Sequence, residues 1–198
     1  MFMKILLATS NKHKLKEVRD ILSKYDIEIL GMDDLSIPPI DVIENGKNYY
    51  ENALIKASSL IPYTSLPIMA DDTGLEILSL DNKPGLYTAR FMEQFSSREE
   101  TFKEIFSLLE NKNRESRFIC DIVLVNLKEE PLEFVGICEG QIATQISGDD
   151  GFGYDPIFIV KEKQKTFAEM TEKEKNAVSH RGKALTKLAN YLKDNKYI

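Results

Sequence analysis

Four short segments, far apart in the chain, set polar or charged groups beside small residues. They are Thr9 to Lys14 (TSNKHK), Ala70 to Leu75 (ADDTGL), Gly151 to Pro156 (GFGYDP) and Ser179 to Gly182 (SHRG). Together they supply cations, carboxylates and aromatic rings, the parts an enzyme acting on a nucleotide phosphate requires. Thr9 to Lys14 lies between a strand-like run and a helical one, where the N–H groups of a helix N-terminus favour anions. Thr9, Ser10 and Asn11 add hydrogen-bonding groups and Lys14 adds charge. The glycines of a Walker loop are missing, and the plain structural alternative is an N-cap followed by solvated lysines.

Asp71 and Asp72 end a short apolar run. Adjacent carboxylates on a strand or turn usually point to opposite sides, so one can face a site while the other is bonded elsewhere. A carboxylate there suits Mg²⁺, which takes one or two carboxylates plus phosphate oxygens and water. It also suits activation of a water nucleophile. The alternative is an ordinary polar turn. Glu44, in a loop before Asn45-Gly46, is better placed to bind metal than Glu51, which opens a helical run and fits the helix dipole.

In Gly151 to Pro156, two glycines permit backbone geometry that other residues resist. They flank Phe152, which could stack on a base, and Asp155 could accept N–H bonds. The alternative tucks Phe152 and Tyr154 into the core. Lys175 and Ser179-His180-Arg181 offer donors near the start of the last helix, where Ser179 could equally be a cap.

The elements that must position these groups alternate between strand and helix. Phe2 to Ala8 reads as a buried strand, and Lys14 to Tyr25 has apolar residues at helical spacing. Ile27 to Leu30 is a second strand, and residues 33 to 48 are a loop broken by Pro38, Pro39 and Gly46. Tyr50 to Ile61 is a helix. Pro67 to Ala70 is a strand ending in a turn at residues 71 to 74, with Leu75 to Leu80 continuing it. Residues 84 to 91 read as irregular and Arg98 to Leu109 as a helix. Arg117 to Leu127 and Leu132 to Ile146 are long β-rich runs joined at Glu129-Glu130-Pro131. A strand at Ile157 to Val160 and a helix at Ser179 to Asp194 complete the chain. The pattern predicts one compact α/β unit over residues 1 to 198, with a mixed sheet.

The chain has 198 residues and a net charge of −6. An acidic surface repels nucleic-acid backbones, so no nucleic acid is expected as a partner. Cys120 and Cys138 sit in apolar runs and read as buried, reduced thiols, which points to the cytoplasm. Met1 to Ala8 is too short for a signal peptide, and no run reaches the roughly 20 apolar residues of a membrane span. No membrane partner is expected.

With these segments in order, the chain resembles the inosine triphosphate pyrophosphatase family, the deaminated-purine NTP pyrophosphatases. The resemblance runs from Leu6-Leu7-Ala8-Thr9-Ser10-Asn11 to the helix after Ser179-His180-Arg181-Gly182. It includes Glu51-Asn52-Ala53, Pro84-Gly85-Leu86-Tyr87-Thr88-Ala89-Arg90 and Gly153-Tyr154-Asp155-Pro156-Ile157-Phe158. It implies an α/β fold of two lobes around an elongated, twisted mixed sheet with flanking helices, the active site lying in the cleft between lobes. It also implies a homodimer and dependence on Mg²⁺. The implied reaction is hydrolysis of ITP, dITP and XTP to monophosphate and pyrophosphate, which clears deaminated purines from the nucleotide pool.

By position, the resemblance gives Asp72 as general base and metal ligand and Glu44 as second metal ligand. Thr9, Ser10, Asn11, Lys12, His13 and Lys14 would wrap the phosphates, with Lys12 and His13 contributing backbone. Thr73 stands where the family often has Ser. Phe152, Gly153, Tyr154, Asp155, Lys175, His180 and Arg181 would hold the base and sugar. Lys175, His180, Arg181 or nearby backbone N–H groups would donate to O6 of hypoxanthine or xanthine, where adenine presents a donor instead. One departure is the acidic pair Asp149-Asp150. The competing readings are a pyrophosphatase for pyrimidine or modified nucleotides and a non-catalytic nucleotide sensor.

Overall fold

The computed structural model describes residues 2–149 and 151–198. Met1, and Asp150 of the Asp149-Asp150 pair, lie outside the described residues. The chain opens with β1 (Met3–Leu7), α1 (Lys12–Leu22) and β2 (Ile27–Leu30), followed by α2 (Tyr49–Ser58) and β3 (Ile68–Ile77). Next come β4 (Lys83–Pro84), α3 (Thr88–Glu93), α4 (Arg98–Leu108), β5 (Glu115–Val125) and β6 (Leu132–Ile142). The chain closes with β7 (Phe158–Val160), β8 (Lys165–Thr166), α5 (Glu172–Val178) and α6 (His180–Asp194). The strands form one mixed sheet in the order β2-β1-β3-β5-β6-β7-β8, with β4 paired to β3. β1 runs parallel to β2 and to β3, whereas β7 runs antiparallel to β6 and to β8.

The described residues divide into two compact units. The first comprises the chain through Asp72, Cys120–Gly136 and Arg181–Ile198. The second comprises Thr73–Ile119 and Ile137–His180.

In the first unit β1, β3 and β5 carry apolar residues on both faces, and the two-residue period assigns each side chain to one of them. Ile5, Leu7, Met69, Cys120, Ile122 and Leu124 pack with Val18 and Leu22 of α1 and with Leu185, Leu188 and Leu192 of α6. The alternate residues Leu6, Ile68, Ala70, Val123 and Val125 pack with Ala53 and Ala57 of α2. Helices on both faces explain why these strands read as continuous apolar runs. In the second unit, Leu75 and Ile77 pack with Phe102 and Ile105 of α4 and with Phe118, Ile157, Phe158 and Phe167.

Three local expectations differ from the structure. Residues 71 to 74 are not a turn: β3 passes straight through them. Each aspartate finds partners on its own face, so the strand need not break to hydrate them. Residues 88 to 91, expected to be irregular, lie in α3 (Thr88–Glu93). The Thr88 hydroxyl donates to the Gly85 carbonyl (2.6 Å) and accepts from the Leu75 N–H (2.8 Å), anchoring the helix start on β3. β6 also ends at Ile142 rather than running to residue 146. Cys120 and Cys138 are buried thiols. Among the described residues, no helix is long and apolar enough to cross a membrane.

Candidate functional site

The α1 N-terminus is built by Asn11. Its side-chain oxygen accepts from the N–H groups of His13 (2.9 Å) and Lys14 (3.1 Å). Removing such a cap costs about 1 kcal/mol. The Thr9 hydroxyl accepts from the Asn11 N–H at 3.1 Å, which shapes the turn out of β1. Ser10, Asn11, Lys12 and His13 are exposed, while Thr9 and Lys14 are half-buried.

On β3 the alternation separates the two aspartates. Met69 belongs to the α1–α6 face and Ala70 to the α2 face, so Asp71 takes the first face and Asp72 the second. Asp71 is 4% exposed and is held by three cationic contacts. Its Oδ2 accepts from Lys14 Nζ at 3.0 Å and from Arg181 Nη2 and Nε at 3.0 and 3.3 Å. Arg181 also donates to Glu17 Oε2 at 2.7 Å and is itself 2% exposed. Burial alone would raise the Asp71 pKa. Lys14, Arg181 and Lys56 overcome it and hold this carboxyl well below the usual range. Burial would likewise lower the Arg181 pKa, but Glu17 and Asp71 raise it. Asp71 is therefore a permanent anion at neutral pH.

Asp72 has different company. Asn52 Nδ2 donates to its Oδ2 at 3.0 Å, and Lys56 Nζ lies 3.4 Å from its Oδ1. Lys56 also donates to Glu44 Oε2 at 3.0 Å, so one ammonium joins the two carboxylates. Burial raises the Asp72 pKa. Lys56 and the Asn52 hydrogen bond offset it in part, Glu44 pushes further up, and the net shift is upward. A carboxylate made more basic in this way is suited to accept a proton near neutrality. The pKa of Lys56 is raised, because Asp72, Asp71 and Glu44 outweigh the desolvation that would lower it.

The loop carrying Glu44 is tied to α2 by the same Asn52, whose side-chain oxygen accepts from the Gly46 N–H at 2.8 Å. A Cβ at position 46 would come within 2.7 Å of that oxygen and of the Glu51 Cβ. Only glycine allows the loop to approach this closely.

Asn52 and Lys56 were not among the expected site residues. They sit at i and i+4 on α2, one helix turn apart and so side by side. A lone Asn–Lys pair at that spacing is common on helices, and only the position of Asp72 gives it meaning.

In the second unit, Phe152, Asp155 and Lys175 form a cluster. Asp155 Oδ2 accepts from the Phe152 N–H (2.9 Å) and from Lys175 Nζ (2.8 Å). Lys175 Nζ lies 4.7 Å from the centroid of the Phe152 ring, a cation–π distance. Gly151 has φ +87°, and a Cβ there would meet Asp155 Oδ2 at 2.3 Å, so glycine is required. Gly153, also at positive φ, would have open space around a Cβ. Tyr154 is buried, and its hydroxyl donates to the Thr88 carbonyl at 2.7 Å. Burial raises its pKa, so it stays a neutral phenol that braces the loop against α3. His180 is buried and stacked on Phe118, with centroids 4.7 Å apart and planes 14° apart. Thr73, next to Asp72 on β3, is half-buried.

The structure thus joins Lys14, Asp71 and Arg181 in one network and Glu44, Asp72, Asn52 and Lys56 in a second. Phe152, Asp155 and Lys175 make a third. Arg181, expected among the donors to a base, donates to Glu17 and Asp71.

The Ham1 family model matches residues 5–191. A protein named dITP/XTP pyrophosphatase from Clostridium perfringens is 42% identical over 199 residues, covering 96% of this chain and 97% of that protein. This chain belongs to the Ham1 family. Solved structures of family proteins agree with the fold. A HAM1 protein from Coxiella burnetii superposes with a TM-score of 0.85 at 37% identity, covering 98% of this chain and all of that one (100%). The Ham1 protein of Staphylococcus aureus gives a TM-score of 0.85 at 33% identity, covering 97% and 99% of the two chains. In this Ham1 chain the match spans all three networks, from Lys14 on α1 to Arg181 on α6.

Proposed function

We propose that this chain is a nucleoside triphosphate pyrophosphatase that hydrolyses ITP, dITP and XTP to the monophosphate and pyrophosphate. Removing these deaminated purines keeps them out of the pool that polymerases draw on. The carrying observation is the single ammonium of Lys56 held between the carboxylates of Glu44 and Asp72. The names of the dITP/XTP pyrophosphatase relatives supply the substrate class.

Among the described residues, no group of three or more His, Cys, Asp or Glu side chains forms a metal cage. Mg²⁺ needs none: one or two carboxylates suffice when phosphate oxygens and water complete the shell. Glu44 and Asp72 are hard oxygen donors already near enough to share one cation, so they fit the ion and would hold it. Bound there, Mg²⁺ supplies charge neutralisation to the triphosphate.

The side chains do the rest. Asp72, raised in basicity by burial, accepts a proton from the water whose oxygen attacks the α-phosphorus. A P–O bond forms to that oxygen, and the bond from the α-phosphorus to the α–β bridging oxygen breaks. Asn52 fixes the Asp72 carboxyl in rotation. Lys56 offsets the negative charge of Glu44 and Asp72, which would otherwise repel a ligand carrying about four negative charges. The exposed N–H groups of the α1 N-terminus, Thr9, Ser10 and Lys14 hold phosphate oxygens. Phe152 stacks on the base, and Lys175 and His180 donate to its oxygen. The enzyme acts as a cytoplasmic homodimer.

The test is a parallel assay with Mg²⁺ on ITP, XTP, ATP and GTP, scoring pyrophosphate against orthophosphate. Pyrophosphate and monophosphate from ITP and XTP, with little from ATP and GTP, is the expected result. Orthophosphate as first product, or equal turnover of all four, overturns the proposal.

A further inference from the structure

The first unit carries a second acid pair that the proposed reaction does not use. Asp121 on β5 is buried, at 6% exposure, and its carboxyl hydrogen-bonds that of the exposed Glu133 on β6. Its Oδ1 is buried and accepts from no N–H or O–H donor among the described residues. Strand alternation fixes its direction. Ile122 and Leu124 belong to the α1–α6 face and Val123 and Val125 to the α2 face, so Asp121 shares the face of Ala70 and Asp72. The titratable groups acting on it are Glu133 from β6 and Asp72 from β3, both acids, and no cation is among them.

Two carboxylates cannot hydrogen-bond each other while both are ionised. One proton must lie between them, as in any close acid dyad. A neutral carboxyl also removes the heavier penalty of burying a charged oxygen with no donor beside it.

We propose that Asp121 and Glu133 share one proton, and that Asp121 is a positioning residue that, while neutral, keeps a further negative charge off the sheet face from which Asp72 works. This deepens the pyrophosphatase reading and rests on it for its catalytic consequence. Burial, then the charges and hydrogen bond of Glu133 and Asp72, raise the Asp121 pKa to about 7. Below that pH the pair holds its shared proton and carries one negative charge in place of two. Above it, a new charge repels the triphosphate.

Two measurements test this. Infrared difference spectra of the ligand-free protein read the shared proton without any turnover. A protonated-carboxyl band at about pH 6 should fade by about pH 8.5, persist in Asp72→Asn and be lost in Asp121→Asn. In kinetics, the wild-type KM for ITP should rise on the order of fivefold over the same range. Asp121→Asn, whose amide can still donate to Glu133, should flatten that rise. An Asp121→Asn spectrum identical to wild type overturns the shared proton. An unchanged KM profile in that variant overturns the positioning role. Failure of the wild type to hydrolyse ITP would overturn the pyrophosphatase reading and leave the band to decide the shared proton by itself.

Discussion

Lys56 Nζ stands 3.4 Å from Asp72 Oδ1 and reaches Glu44 with the same ammonium. It is largely shielded from water, with its side chain 16% exposed. Lys56→Met keeps the aliphatic stem and removes the charge. It leaves two acids facing each other across the position the ammonium held, which raises the Asp72 pKa further. The expected outcome is a fall in kcat of about 10² to 10³, with a normal circular dichroism spectrum. Retention of wild-type kcat would remove Lys56 from the site.

Asp72 carries the sharpest kinetic prediction. Asp72→Asn preserves shape and still accepts from Asn52, but it cannot take a proton. Turnover of ITP should fall by about 10³ or more while the melting temperature stays close to wild type. The pH profile gives a second check. A base must be deprotonated to act, and burial raises the pKa of Asp72. Activity should therefore be lost, as pH falls, at a value above that of an ordinary aspartate. An acid limb at or below the ordinary carboxylate range would assign that proton to another group.

Much of this site was legible in the chain itself, for a physical reason. Asn11 as a cap, the split of Asp71 and Asp72 between opposite faces, and the glycine at 151 follow from local geometry, which sequence encodes directly. Asn52 and Lys56 did not declare themselves, because their partners lie on β3 and in the Glu44 loop, contacts that exist only after folding. The partners of Arg181 were hidden in the same way: a basic residue after a histidine at a helix start reads as a ligand donor, and its bonds to Glu17 and Asp71 exist only after folding. The expected break at residues 71 to 74 failed because two charged residues in a row signal a turn only when water, not Lys14, Arg181, Asn52 and Lys56, must satisfy them.

The Asp71–Arg181 pair yields a stability prediction. Both partners are nearly inaccessible, at 4% and 2% exposure. Removing one partner of an isolated buried pair costs about 3 to 5 kcal/mol, and here the loss should be smaller, because Lys14 still faces Asp71 and Glu17 still faces Arg181. Arg181→Met should shift the urea midpoint down accordingly, and Asp71→Asn should do so as well. Because the Asp71 pKa is depressed in the folded state, its contribution is complete above the unfolded value of about 4 and is lost as pH falls through the lower folded value. Acid unfolding of wild type should therefore be steep in that window, and Asp71→Asn should flatten it. A midpoint unchanged by both variants would show that this network contributes little.

Phe152 and Lys175 can be separated by their effects on base choice. Stacking does not distinguish one purine from another, since each presents a similar π-face. Phe152→Ala should raise KM for ITP and GTP alike, by about tenfold, with kcat changing less. Lys175 is different, because its ammonium is held at 2.8 Å by Asp155 and can donate to a base oxygen. A donor matched to an oxygen discriminates against a base that presents an amino group there, because two donors then face each other. Lys175→Met should therefore narrow the ITP-to-ATP ratio of kcat/KM by one to two orders of magnitude, about 1.4 to 2.8 kcal/mol. It also leaves Asp155 without its cation, so thermal unfolding must be measured in parallel. Asp155 still accepts from the Phe152 N–H, which keeps the loop shaped. An unchanged ITP-to-ATP ratio in a folded Lys175→Met protein would mean that Lys175 only anchors the loop and that base choice lies with other donors.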